Sequence, residues 1–357
     1  MTATEPLAPS SVPTNGVEAE LATYGRLATA ALVEHLAEHL GDEGPAAWLD
    51  DLVREYPARG GKAIRPALCL ATCVAFGGSI EEAMPSAVAV ELLHNAFLVH
   101  DDIEDASLLR RGRPTLHHDH GVPLALNAGD ALFVLAGAAL ASNRSVLGGR
   151  MAAAVADEFT TMARHTVSGQ ATELGWRRDV VVDLTPDDYV DLIMRKTCWY
   201  TTVHPLRLGA LIGSWGRADL DAMVRFGAYL GAAFQIQDDL LNLEGDEELY
   251  GKEHQGDLYE GKRTLMVIRL LSVAPAAVRA EVVAFLGRTR EERTPSDVQH
   301  LAALLETYGC LDYARTFGQG IAEAAEAAFD VAFGSVPDSP ERRFVHALIA
   351  WMLRRAA

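Results

Sequence analysis

Apolar residues recur at helical spacing along most of this chain, and no run of alternating β-branched residues bounded by turns stands out. Two stretches, Leu124 to Thr185 and Leu206 to Ala274, contain no proline and are each long enough for several helices. The pattern predicts helices over 18–40, 45–56, 63–76, 80–105, 123–141, 147–170, 186–213, 217–243, 263–288, 295–330 and 340–355. Ser79 and Glu82 have capping-box spacing at the start of one of them. Residues 1–17, polar and rich in Pro, Ser and Thr, read as a disordered leader. Without an internal repeat or a dividing linker, residues 18–357 are expected to form one all-α domain.

Composition narrows the function classes. With 31 Lys and Arg against 49 Asp and Glu, the formal charge is −18, which argues against nucleic acid as a partner because phosphate backbones need a basic stripe. A hydrophobic fraction of 49% excludes a disordered chain. No secretion signal is apparent ahead of Arg26, the first basic residue. The longest uninterrupted apolar run, near Ala131 to Ala141, is about half of the roughly 20 residues a bilayer needs, so no membrane span is expected. Four cysteines are too few for a disulfide framework and fit a reducing, cytoplasmic setting.

Two acidic clusters carry the chemistry. In ELLHNAFLVHDDIEDASLLRRGRPT, residues 91–115, the helical period puts His94, Asp101 and Asp105 on one face, with Asp102 beside them. A solvated acidic helix end is the plain alternative, but this cluster closes an otherwise apolar helix from Val88 to Val99. FQIQDDLLNLEGD, residues 234–246, repeats the device, with Asp238 and Asn242 on one face and Asp239 adjacent. Two carboxylate-bearing helix ends that face each other suit Mg²⁺ shared with substrate phosphates. A hydrolytic carboxylate pair is the competing reading, but it needs two acids and leaves the others unexplained.

Cations supply the complement. Gly60-Gly61-Lys62-Ala63-Ile64-Arg65 places a double glycine before a helix start, with Lys62 and Arg65 close enough to cradle a diphosphate. Arg110 and Arg111 follow the first acidic cluster, Lys196-Thr197 sits inside a helix, and Lys262 follows the second cluster. Each alone reads as a surface cation, whereas their joint occurrence around two acidic clusters does not.

Over about residues 50–275 the sequence resembles the trans-isoprenyl diphosphate synthases, or polyprenyl synthetases. The carrying motifs are GGKAIRP, ELLHNAFLVHDDIEDASLLRRGRPTLH, NAGDAL, the GQ at Gly169-Gln170, the KT at Lys196-Thr197, FQIQDDLLN and GDLYEGKRT. It is most similar to bacterial geranylgeranyl diphosphate synthases. The resemblance implies a single-domain helical bundle of the isoprenoid synthase type around a central substrate cavity. It implies condensation of isopentenyl diphosphate with an allylic diphosphate, three Mg²⁺ ions bound with the latter, and a homodimer.

Residue by residue, it implies that Lys62, Arg65, His94 and Arg111 hold the isopentenyl diphosphate. Arg110, Lys196 and Lys262 would hold the allylic diphosphate through metal on Asp101, Asp105 and Asp238, supported by Asp102 and Asp239. Thr197 and Gln235 would stabilise the allylic cation by their dipoles. Metal is also a physical requirement, since one carboxylate and one phosphate charge about 4 Å apart repel by roughly 1 to 4 kcal/mol. Phe97, one turn before Asp101, would limit chain elongation, and the small Ala96 beside it would relax the limit. The favoured product is C20, with C15 the nearest alternative. The sequence departs from the common family pattern at Ala63, where many members have arginine, and at Asn242, where many have aspartate. A class I terpene cyclase is the rival enzyme class, and Lys62, Arg65 and His94 argue against it because it needs no second diphosphate pocket. A non-enzymatic regulatory subunit could dispense with the acidic motifs, and both are present.

Overall fold

The computed structural model describes residues 14–41, 47–245 and 253–354. Among these the chain is helical almost throughout. It runs through α1 (Thr14–His39), α2 (Ala47–Ala58), α3 (Ile64–Ala75), α4 (Ile80–Glu104), α5 (Leu116–His120) and α6 (Val122–Arg178). Next come α7 (Pro186–Ile193), a π-helix (Met194–Val203), α8 (His204–Gly213) and α9 (Leu220–Glu244). The last helices are α10 (Gly256–Glu260), α11 (Leu265–Val273), α12 (Ala276–Leu286), α13 (Pro295–Thr307), α14 (Cys310–Ala332) and α15 (Pro340–Arg354). A two-stranded hairpin, Leu109–Arg110 with Arg113–Pro114, follows α4.

The predicted all-α class is observed, and the differences lie at breaks with local causes. Predicted helices 123–141 and 147–170 form one element, α6, which kinks at Gly148 (φ 76°, ψ 164°), a conformation open to glycine and strained for other residues. Predicted helix 263–288 is split at Pro275 into α11 and α12, and 295–330 at Gly309 into α13 and α14. The 186–213 segment changes hydrogen-bonding pattern in mid-course, becoming a π-helix for ten residues. Helix α1 begins at Thr14 and buries Val17, so the end of the expected leader is the first turn of a helix. Residues 1–13 of that leader and 355–357 lie outside the described residues.

Helix α4 owes its start to the expected cap: Ser79 Oγ accepts the Glu82 amide at 3.2 Å, and Glu82 returns a bond to the Ser79 amide at 2.9 Å. It packs along α6, while α9 packs against α14 and the π-helix. Buried apolar side chains of α4 and α6, including Leu92, Leu93, Leu132 and Met162, pack into one core cluster. The consequence is that α4 and α9 both end at the same cavity with their acidic turns. Helix α6 is long and apolar enough to cross a bilayer by length and composition, with a mean hydropathy of 1.7 over 18 residues. In this fold it is a central packing element whose residues Thr166, Gln170 and Glu173 line the cavity. All four cysteines are buried and free.

Candidate active site

The acidic ends of α4 and α9 open onto one cavity of about 690 Å³, walled by the start of α3, by α4, α6, α7, the π-helix and α9, and by the segment 257–264. At the α4 end, Asp101 lies 3.4 Å from Lys196 Nζ and accepts a 3.2 Å bond from Gln170 Nε2. Asp105 sits 3.3 Å from Lys262 Nζ and is bonded by Arg177. Burial opposes ionisation of both carboxyls, but the lysines and arginines outweigh it and hold them below the usual carboxylate range. Lys196 can reach this position because α6 presents Gly169 to the π-helix: a Cβ there would stand 2.3 Å from the Lys196 backbone nitrogen. Lys196 is also paired with Glu173, and Lys262 with Asp257 at 3.1 Å and with Glu260. The loop carrying Lys262 is fixed by Arg293, which donates to the carbonyls of Tyr259, Phe285, Leu286 and Arg288.

The α9 end is different. Asp238 faces the cavity half-buried. Asp239 is buried and accepts from Tyr189 Oη at 2.8 Å and Gln235 Nε2 at 2.6 Å, while Thr197 Oγ1 donates to Gln235 Oε1 at 2.9 Å. Burial, with the charges of Asp257 and Asp238 nearby, pushes the Asp239 carboxyl up to about 8. Glu260 is likewise raised to about 8 by burial and by Asp105 and Asp257. Asn242 faces away from this chemistry: its Oδ1 accepts the Asp257 amide at 3.0 Å and its carbonyl accepts the Gln255 amide at 2.9 Å. The amide thus docks the segment that brings Asp257 to the cavity.

On the opposite wall stand the remaining cations. Arg65 is buried, donates to Thr201 Oγ1 at 2.8 Å and lies 4.4 Å above the Tyr200 ring. His94 also approaches Tyr200, with ring centroids 5.9 Å apart. Ala63 takes a left-handed conformation (φ 49°) at the N-cap of α3, turning the chain so that Lys62 and Arg65 both reach the cavity. Lys62 Nζ lies 5.6 Å from the Trp351 ring. Arg111 lines the same wall, and Glu91 beside it compensates the charges of Arg65 and Arg111.

Most of the sequence-predicted residues meet here: Lys62, Arg65, His94, Phe97, Asp101, Arg110, Arg111, Lys196, Thr197, Gln235, Asp238, Asp239 and Lys262 all line the cavity. Asp102 does not, because it points into the protein. It accepts two bonds from the Arg110 guanidinium, one of 2.8 Å from Nε, and one from Tyr56 Oη. Asp105 caps α4 just behind the cavity wall. Ala96 is buried in the core, while Phe97, one residue on and about 100° around the helix, stands on the wall edge-on to Tyr200 at 5.7 Å. Sequence reasoning missed Glu91, Glu173, Arg177, Asp257 and Glu260. Only Glu173 had a usable signal, one turn beyond Gln170 on the same face.

The site fits a hard divalent cation. Its donors are carboxylates from separate elements, and Asp239 and Glu260 are driven toward the protonated form by burial first and by their acidic neighbours second, and a cation among them would relieve both.

Fold and site together define a helical enzyme of the isoprenoid synthase type, with one cavity between acidic helix ends and a cationic wall. A family model described as polyprenyl synthetase matches residues 46–305. The chain is 34% identical over 282 residues to the short chain isoprenyl diphosphate synthase of Methanothermobacter thermautotrophicus, covering 79% of this chain and 83% of that one. It is 35% identical over 255 residues to the geranylgeranyl diphosphate synthase of Sulfolobus acidocaldarius, covering 71% and 76%. Geranylgeranyl pyrophosphate synthase of Corynebacterium glutamicum, solved with isoprenyl diphosphate and magnesium, superposes with a TM-score of 0.85 at 26% identity over 94% of this chain and 99% of that one. The chain belongs to the polyprenyl synthetase family and is a prenyltransferase.

Proposed function

We propose that this prenyltransferase condenses isopentenyl diphosphate head-to-tail with an allylic diphosphate to give the C20 product, geranylgeranyl diphosphate. The observation that carries the reading is one cavity with two separate cationic sets: Lys62, Arg65, His94 and Arg111 on one wall, and Lys196 and Lys262 beside the acidic helix ends. Two diphosphates need two such sets, whereas a cyclase needs one. The named relatives from Sulfolobus and Corynebacterium support C20.

In this reading Asp101, Asp105 and Asp238 hold Mg²⁺ with the allylic diphosphate, and Asp239 supports them from behind. The complement is three ions, which supply charge stabilisation for the departing diphosphate. Lys196 and Lys262 add to it directly. Arg110 is held in place by Asp102, so that pair positions the wall of the pocket and Asp102 leaves the ligand set. The isopentenyl double bond attacks the allylic carbon as its C–O bond breaks, and the proton lost afterwards passes to the released diphosphate, since no side chain among the described residues stands out as a dedicated base. The Thr197 hydroxyl and the Gln235 carbonyl lie beside the cavity, where their dipoles can stabilise the cation.

Phe97, braced edge-on by Tyr200, limits the chain. Assembly as a homodimer is supported by an exposed apolar stripe on α6, Val122, Leu126 and Phe133, which share one helix face. Incubation with isopentenyl diphosphate, Mg²⁺ and C5, C10 or C15 allylic diphosphates should yield C20, and Phe97→Ala should lengthen it. A C15 end product would move the assignment to a farnesyl synthase, and no product with any primer would overturn the condensation itself.

A further inference from the structure

The last turn of α1 carries three side chains that the synthase site does not use: His35, Glu38 and His39. One ligand atom from each lies within 4.8 Å of the other two. The two imidazoles, 4.3 Å apart between centroids, are each already engaged through one nitrogen. His35 Nε2 lies 3.2 Å from the Leu135 carbonyl on α6, and His39 Nδ1 lies 2.9 Å from the His35 carbonyl. A carbonyl oxygen can only accept, so both of these nitrogens carry the proton. In the neutral rings that leaves Nδ1 of His35 and Nε2 of His39 with lone pairs.

This is the outer-shell pattern of metal-bound histidine, in which the second ring nitrogen donates to a backbone carbonyl and fixes tautomer and ring orientation. Two further features favour a cation. Burial holds the His35 imidazole below its usual range, hence neutral near pH 7, and the turn lies at the C-terminal end of the helix, where the dipole is negative. We propose that His35, Glu38 and His39 form a second metal site, taking one divalent ion of the zinc, nickel or copper class through two imidazoles and a carboxylate, with a fourth position open. Imidazole donors distinguish it from the oxygen-rich cavity, which suits Mg²⁺. Because His35 is bonded to α6, an ion there ties the end of α1 to that helix.

The test uses tag-free full-length protein in millimolar Mg²⁺, titrated with Cu²⁺ and followed by electron paramagnetic resonance. The first equivalent should show coupling to two imidazole nitrogens, and the same spectrum should appear in Asp101→Ala and in His118→Gln. His39→Ala, at an exposed position, should lower the affinity at least about tenfold and lose the two-nitrogen pattern, while prenyl transfer continues at the parental rate. Zn²⁺ should raise the melting temperature of the parent and leave that of His39→Ala unchanged. A first equivalent bound through oxygen alone, or an unchanged spectrum and affinity in His39→Ala, would overturn the proposal.

Discussion

The acidic ends of α4 and α9 look like copies of one motif and behave as opposites. At the α4 end Asp101 and Asp105 each have a cation at hand, Lys196 and Lys262 in particular, and stay ionised, while Glu104 on the same turn, bonded by Gln170, is raised by burial. At the α9 end Asp239 is held by a phenol and an amide, with further carboxylates around it, and its carboxyl rises to about 8. The motif fixes which residues are present, and the elements packed against it decide their charge. Without metal, then, one end is a set of ion pairs and the other a store of protons.

Four substitutions probe this contrast, in decreasing order of expected effect. Asp101→Ala should lower turnover by about 10³-fold or more with the fold intact by circular dichroism, and parental turnover would remove the α4 end from the metal assignment. Lys196→Ala should lower turnover by about 10²-fold, with a smaller change in the KM for isopentenyl diphosphate than in kcat, because the ammonium faces Asp101 and not the Arg65 wall.

Asp239→Asn should weaken Mg²⁺ binding by about tenfold in calorimetry. The same variant reads the proton store directly. The carboxyl titrates near 8 in the folded chain against 3.8 ordinarily, so the folded state holds the extra proton and Mg²⁺-free stability falls as pH rises between those values. Melting curves in chelator should therefore show the parent losing stability from pH 5 to pH 9 relative to Asp239→Asn, and parallel curves would contradict the raised carboxyl. Mg²⁺ binding at pH 7 should also release protons, seen as a buffer-dependent heat. Asn242→Asp should have the smallest effect, a loss of about 1 kcal/mol of Mg²⁺-free stability by chemical denaturation, because it adds charge beside Asp257 while keeping the oxygen that docks that segment.

The same contrast explains what was legible beforehand. Helix class and the two acidic ends follow from periodicity and composition, whereas the break at Pro275 was missed although the residue type gave a signal for it. The positions of Asp101, Asp238, Lys196 and Lys262 could be read because each stands in a dense local motif. Arg177, Asp257 and Glu260 could not, since sequence supplies a charged residue's neighbours along the chain and only the packed helices decide which charges turn toward the site; Glu173 alone had a hint, one turn beyond Gln170. Asp102 misled for the complementary reason: its motif suggests a ligand, while Tyr56 and Arg110, brought from other elements, draw it inward. Ala96 misled because adjacent helix positions diverge, one toward the core and one toward the wall.

The π-helix from Met194 to Val203 works as a spacer between the two charged walls. Its wider turn carries Lys196 toward Asp101 and, further along, Tyr200 and Thr201 toward Arg65. Removing one residue from this turn, so that the segment winds as an ordinary helix, would put Lys196 and Thr201 out of phase with each other. The acidic helix ends and the cationic wall would then lose their register with each other, because the spacing between them is kept by the pitch of the backbone.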